Sequence, residues 1–338
     1  MAALPTQFGK ALSAVEPDED AAHAQDAHAQ VSTVLEDDER LRSLGVDPLL
    51  IGSYKRHVSI KRVKDVDVFA RLTKADGSLR PGAILDHVAD ILGVAFPGDV
   101  ERQHRSVKVD FPNYDLSVDV VIARPCGDHW EIPQRIEEDG LARWVETNPT
   151  KMTELTTAAN KSFLLYEDDE DSGVYVRIVK LVRQVRRTWV DDQPGGYFFE
   201  VLTYHAFQEL QPDEQTVAAY LTRILRRIAE ILPEHVDEGP VDPTLSDKTI
   251  KTKATAEQIE AAADQMARAA DLAEAALGEE DRCVAAVKWR RLLGTTQNTE
   301  VPEDVFPLPD YCNADGTTKN RSVIKGALAV PAGQDRYA

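Results

Sequence analysis

From Leu49 to Phe69 the chain passes through three hydropathy regimes. Leu49, Leu50 and Ile51 form a continuous apolar run, which reads as a short buried strand. Gly52-Ser53 ends it abruptly, and a basic, polar segment follows. From Val63 to Phe69 apolar and charged residues alternate. A period of two places Val66 and Val68 on one face of a strand and Asp65 and Asp67 on the other.

The rest of the chain divides by the same reading. Residues 1–17 look irregular. From Asp18 to about Leu44, Ala, Gln, Val, Leu, Glu and Arg dominate without Gly or Pro, which predicts one long helix stopped by Gly45. Its run Glu36-Asp37-Asp38-Glu39 reads as a solvated face. Asp76-Gly77-Ser78 is a turn, and Pro81 to about Phe96 carries Ile84, Leu85, Val88, Ile91 and Leu92 at helical spacing. Val107, Val109 and Phe111 alternate along a strand. Pro112-Asn113-Tyr114 turns the chain into a second strand, Asp115 to Ala123, with Leu116, Val118, Val120 and Ile122 on one face. Asn148 to Ser162 reads as a loop leading into a helix, and Glu167 to Asp171 as an exposed loop. Val174–Trp189 is an amphipathic helix, with Val176, Val179, Val182 and Val185 apolar and Arg177, Lys180, Arg183, Arg186 and Arg187 basic. Further helices are expected over Pro194–Phe207, Gln215–Leu232, Ala254–Leu277 and Asp281–Leu293.

Composition bounds the function classes. The 338 residues are 43% hydrophobic, enough for two lobes or one large domain. No apolar run approaches the ~20 residues of a membrane span, and the N-terminal MAALPTQFGKAL has no secretory pattern. A cytoplasmic protein with no membrane partner is the expectation. The three cysteines are far apart, so neither a zinc nor a disulfide framework is expected and a reducing compartment fits. A net charge of −19 argues against broad non-specific DNA binding. It leaves nucleotides open, because bound cations offset carboxylate charge locally.

The candidate chemistry lies in the opening stretch. Asp65 and Asp67 stand roughly 6–7 Å apart on one strand face. Two carboxylates so placed repel unless a cation is shared, and Mg²⁺ takes one or two carboxylates together with substrate phosphates. Gly52 permits close backbone approach to a phosphate, and the Ser53 hydroxyl with the N–H groups of the next turn can cradle an anion. Asp119 is a lone charge in an apolar strand and is costly to bury without a partner or metal. Its other reading is a surface aspartate. Lys55, Arg56, Lys61, Arg62 and Lys64 either steer a triphosphate or form a solvated basic surface.

Apolar-Gly52-Ser53, a gap, then Asp65-x-Asp67, with Asp119 on a later strand, resembles the polymerase-β-type nucleotidyltransferases. The segments VRIVKLVRQ and GGYFFEVLTYHAF are similar to segments of the oligoadenylate synthetases. The long N-terminal helix, the Asn148-Pro149 loop and the late Lys288-Trp289-Arg290 helix resemble the bacterial cGAS/DncV-like nucleotidyltransferases (CD-NTases), over roughly residues 20 to 294. Val58-Ser59 departs from the family, where many relatives carry a threonine.

The resemblance implies an α+β fold. A polymerase-β-like core with its long N-terminal helix would span 1–165, a helical lobe 166–294 and a partly flexible tail 295–338. It implies catalytic and metal-binding roles for Asp65, Asp67 and Asp119, which would hold two Mg²⁺ ions, with Mn²⁺ as the substitute. Gly52 and Ser53 would grip phosphates of the donor nucleotide. Arg177 and Lys180 would contact triphosphate across the interlobe cleft, unless they are an ordinary basic helix face. The implied product is a cyclic di- or trinucleotide second messenger in anti-phage signalling, made from ATP or other nucleoside triphosphates and read by a downstream cyclic-nucleotide-sensing effector. A linear oligonucleotide synthetase, or a transferase acting on RNA, protein or a small molecule, would use the same acids.

After Gly294 the helical pattern stops. Pro302, Phe306, Pro307 and Pro309 are positioned to pin the first part of the tail, and from Asn313 onward mobility is expected. The tail is either without function or, as in some relatives, joined at its terminus to another molecule by a ubiquitin-transfer-like conjugating enzyme. Asp335-Arg336-Tyr337-Ala338 ends in the small residue such chemistry needs.

Overall fold

The computed structural model describes residues 3–17, 19–61, 63–136, 141–167, 170–190, 192–211, 213–296 and 302–319. The first half runs α1 (Pro5–Val15), α2 (Glu19–Asp37), α3 (Glu39–Ser43), β1 (Val46–Ile51), α4 (Gly52–Lys55), β2 (Asp65–Leu72), α5 (Pro81–Ala95), β3 (Val100–Arg102), β4 (Val107–Phe111), β5 (Leu116–Cys126), β6 (His129–Arg135), β7 (Ala142–Thr147) and α6 (Pro149–Ser162). The second half runs β8 (Leu164–Glu167), β9 (Glu170–Gly173), α7 (Tyr175–Trp189), α8 (Gly196–Gln208), α9 (Val217–Ile231), β10 (Val241–Asp242), β11 (Leu245–Thr249), α10 (Ala256–Leu277) and α11 (Arg282–Leu293).

One mixed sheet organises the first half, in the order β1-β2-β5-β4-β3, with β6 and β7 continuing from β5. Only β2 and β5 run parallel; the other pairs are antiparallel. Val66, Val68, Val118, Val120 and Ile122 are fully buried on the face covered by α2 and α5, beside Val31, Leu35, Leu85 and Val88. The alternation read from the sequence is the alternation of this sheet. The result is an α+β fold, a mixed sheet flanked by helices, followed by a helical lobe.

A second hydrophobic cluster gathers α7 to α11, with Tyr175, Phe199, Phe207, Tyr220 and Trp289 at its centre. Val58 and Ile60 belong to this cluster, whereas Val63 and Val66 belong to the first. The segment between Gly52 and Asp65 is thus anchored in both lobes.

Several expectations are corrected. Residues 5–15 are a helix, and its Phe8 packs edge-on against Trp289 at 5.0 Å and Phe306 at 5.1 Å. This α1 joins the core of the helical lobe although it precedes the first one. The expected single helix over 18–44 breaks at Asp38, whose carboxylate accepts from Leu41 N–H and caps α3. The same carboxylate contacts His87 at 2.9 Å, so it is no plain solvated face. The expected loop at 167–171 contributes to the β8–β9 hairpin.

The cysteine expectation fails as well. Cys283 and Cys312 form a disulfide that ties the segment after Asp310 to α11. Phe306 is fully buried, and Cys312 and Thr318 form an antiparallel β-bridge. The remainder of the tail, including Asp335 to Ala338, lies outside the described residues. Among the described residues no helix is long and apolar enough to cross a membrane.

Candidate active site

The parallel pairing of β2 with β5 sets the site. Its register puts Asp67 opposite Asp119 and Asp65 opposite Ser117. On the other edge of β2, Ile51 pairs with Asp67, so Gly52 emerges beside that carboxylate. Gly52 has φ +75°, and a Cβ built there would lie 1.9 Å from Asp67 Oδ2. Both the backbone conformation and the space demand glycine. The one-turn α4 begins at this glycine with no side chain capping it, so its first N–H groups remain available to an anion. Ser53 Oγ is 2.9 Å from Ser59 Oγ, which brings the departure from the family pattern to the edge of the site.

The electrostatics disfavour three bare carboxylates side by side. Burial, then the charges of Asp65 and Asp119, push the Asp67 carboxyl up from 3.8 to about 7. Burial and Asp65 push Asp119 up to about 6, with Lys108 opposing. Lys108 is itself paired with Asp110 at 2.7 Å. Asp119 Oδ1 is buried with no hydrogen-bond partner. An orphaned carboxylate oxygen on the strand neighbour of Asp67, with Asp65 two residues away, offers oxygen donors of the kind hard divalent ions take. The residues present therefore fit a divalent metal.

The second lobe supplies the positive side. Glu200 of α8 is buried and takes Arg56 in two contacts of 2.7 and 3.0 Å, with Arg183 of α7 at 3.4 Å. Arg56 and Arg183 both lower the Asp67 carboxyl against its neighbours. Arg187, one turn beyond Arg183, donates to the Lys61 carbonyl and stands in the field of Asp65. Arg62 lies outside the described residues.

The two basic residues singled out in the sequence are held elsewhere. Lys180 is buried and paired with Glu16, just past the end of α1. Arg177 donates to Ser172 Oγ on β9. Neither pairs with the Asp65–Asp67–Asp119 group in this structure. Arg56 stood among the five basic candidates after the turn, and Arg183 and Arg187 among the basic residues of α7, but Glu200 and its pairing with Arg56 and Arg183 were not foreseen. The i, i+4 spacing of Arg183 and Arg187 was the available signal, but it does not say which turn of a basic helix meets the cleft.

A glycine-serine turn, paired carboxylates on one strand and a third on its parallel neighbour, beside a helical lobe, form a polymerase-β-like arrangement. Residues 2–160 match the family model of the Second Messenger Oligonucleotide or Dinucleotide Synthetase domain. Over that stretch, a little under half of its length, the chain is similar to this synthetase family. It is 26% identical over 305 residues to a cyclic AMP-AMP-AMP synthase of Acinetobacter, covering 85% of this chain and 83% of that one. Its fold is similar to that of Escherichia coli MS115-1 CdnC with ATP, at TM-score 0.61 and 17% identity, covering 87% of this chain and 98% of that one. It is similar also to Bradyrhizobium diazoefficiens CdnG with GTP, at TM-score 0.64 and 16% identity, covering 85% and 96%.

Proposed function

We propose that the chain is a metal-dependent synthase that joins nucleoside triphosphates into a cyclic di- or trinucleotide second messenger. The observation that carries this reading is the Asp67–Asp119 pairing, with a buried, unpartnered oxygen on Asp119 and a glycine turn abutting Asp67. Asp65 and Asp67 would hold one Mg²⁺ and, with Asp119, a second. When bound, such ions neutralise the triphosphate and make the attacking ribose hydroxyl a stronger nucleophile.

The chain's own residues do the positioning. The N–H groups of the Gly52-Ser53 turn and the Ser53 hydroxyl grip the terminal phosphates of the donor. Arg183 and Arg187 provide positive potential for the triphosphate on the side facing Asp65 and Asp67. The Arg56–Glu200 pair fixes the turn against the helical lobe. Phosphoryl transfer depends mostly on such placement and charge stabilisation. Lys180 reaches a triphosphate only after leaving Glu16.

The cyclic product is supported by the family and by the Acinetobacter relative, named a cyclic AMP-AMP-AMP synthase. A cyclic triadenylate is accordingly the first product to seek. The reading further assigns the protein to the cytoplasm and to anti-phage signalling through a cyclic-nucleotide-sensing effector. Conjugation of its terminus by a ubiquitin-transfer-like enzyme belongs to the same reading.

The test is incubation with all four ribonucleoside triphosphates and Mg²⁺, followed by phosphatase and mass spectrometry. A phosphatase-resistant cyclic species, absent in Asp67→Asn and after chelation, is expected. Linear 5′-triphosphate products alone would make the chain a linear oligonucleotide synthetase, and no product from nucleotides alone would defeat both readings.

A further inference from the structure

At the far end of β5 the chain makes a tight hairpin, Cys126-Gly127-Asp128-His129, into β6. Gly127 takes φ +60°, which a two-residue turn of this kind needs at its first position. Cys126 and His129 are direct cross-strand partners, so their side chains rise side by side. Glu146 on β7 lies on the next strand of the same sheet, opposite Glu131. One ligand atom from each of Cys126, His129 and Glu146 lies within 4.8 Å of the others.

The histidine is oriented as a metal ligand is. Asp128 Oδ1 stands 3.1 Å from Nδ1, so an N–H there leaves the lone pair on Nε2. A carboxylate on one ring nitrogen, fixing the other toward a metal, is a recurring outer-shell arrangement. Nε2 is buried and has no hydrogen-bond partner, yet Glu146 Oε1 is 3.6 Å away. A lone pair facing a carboxylate repels it unless a proton or a metal cation lies between them. Tetrahedral zinc with bonds of 2.0–2.2 Å sets nitrogen and oxygen ligands about 3.3 Å apart, and its longer thiolate bond sets sulfur and nitrogen about 3.5 Å apart. The Nε2–Oε1 spacing of 3.6 Å is already near that value, and the sulfur, within 4.8 Å of the other ligand atoms, has to close in by up to about 1.3 Å.

We propose that Cys126, His129 and Glu146 bind a zinc ion, with water as the fourth ligand. Thiolate and imidazole select a borderline-soft ion over Mg²⁺ or Ca²⁺. The site is chemically unlike the all-oxygen group of Asp65, Asp67 and Asp119 and shares no residue with it. Its second carboxylate oxygen matters too. Glu146 Oε2 is 3.0 Å from Lys248 Nζ on β11, so the same side chain joins the sheet's end to the second lobe. A zinc ion would hold that carboxylate in place on the sheet side.

Cobalt substitution tests the site directly, because a thiolate-to-cobalt charge-transfer band arises only if sulfur is a ligand. The other cysteines are joined to each other, so Cys126 is the free thiol. Metal-stripped protein should take up one Co²⁺ with that band, and zinc should displace it. Cys126→Ser should abolish the band, His129→Ala should abolish high-affinity zinc uptake, and Asp128→Asn should weaken it roughly 10-fold. Circular dichroism of each variant checks the fold. Asp65→Asn/Asp119→Asn should leave the band unchanged, which keeps the result independent of the catalytic reading. Absence of the band in the wild-type protein, or its survival in Cys126→Ser, overturns the proposal and leaves His129 a plain ion-pair partner of Asp128 and Glu146.

Discussion

Gly52 and Asp67 occupy space that only one side chain can fill: a Cβ on the first would lie 1.9 Å from Oδ2 of the second. Gly52→Ala therefore imposes a positive-φ penalty of about 1–2 kcal/mol and displaces the carboxylate. Turnover should fall by about 100-fold or more, while far-ultraviolet circular dichroism stays native. Steady-state product formation checks this, and wild-type kinetics in Gly52→Ala would remove the turn from the site.

The acid group should make the metal-free protein lose stability as pH rises. Asp67 binds its proton more tightly folded than unfolded, its carboxyl moving from 3.8 up to about 7. Stability is thus present in full below about pH 4 for this group and is lost on ionisation toward pH 7. The shift corresponds to an upper bound of about 4 kcal/mol at 1.36 kcal/mol per unit. With chelator present, Tm should be lower at pH 8 than at pH 5, and Asp67→Asn should flatten the difference. Mg²⁺ should restore wild-type Tm at pH 8 but not that of Asp67→Asn. A Tm indifferent to both pH and metal would show that the carboxylates are not coupled.

Glu200 should be a stability residue before it is anything else. It is 1% exposed and neutralises Arg56, with Arg183 close by. Removing one member of a buried ion pair leaves an uncompensated charge, at about 3–5 kcal/mol. Glu200→Ala should lower the denaturant midpoint accordingly and more than any exposed acid-to-alanine change. Chemical unfolding followed by fluorescence measures it.

Glu16 should compete with nucleotide for Lys180. The two are paired, and Lys180 lies one turn before Arg183 on α7. Glu16→Gln frees the ammonium and should lower KM for nucleoside triphosphate a few-fold, whereas Lys180→Ala should raise it. If both leave KM unchanged, the pair serves only to fasten the end of α1.

The legible parts of this chain were those with a strong period or a local mark. Val66 and Val68, and Val118 to Ile122, alternate cleanly because the sheet is buried on one face and carries the acids on the other. The sequence alone could not pair β2 with β5, so it could not put Asp67 beside Asp119; their order matched a family pattern instead. β6 and β7 escaped notice because HWEIPQR and ARWVET bury few side chains and include Pro133, so hydropathy barely alternates. Helix α1 was missed although Pro5 at its first position is a start signal, because Gly9 weakens the interior; packing of Phe8 on Trp289 and Phe306 overrides that. The partners of Lys180, and the Cys283–Cys312 link, depend on contacts between distant segments that no local pattern encodes.

The packing of Phe8 between Trp289 and Phe306 has a consequence for synthesis of the chain. The sheet and its covering helices use residues between Glu19 and Thr147 and can close while the ribosome is still translating. The helical lobe cannot, because its core waits for residues near the opposite end of the chain to arrive and trap Phe8. Arg183 and Glu200 gain their final positions with it. A nascent chain would carry its acids and its glycine turn for some time without the lobe that faces them, and nucleotide joining would begin only after the last of these aromatic residues emerged.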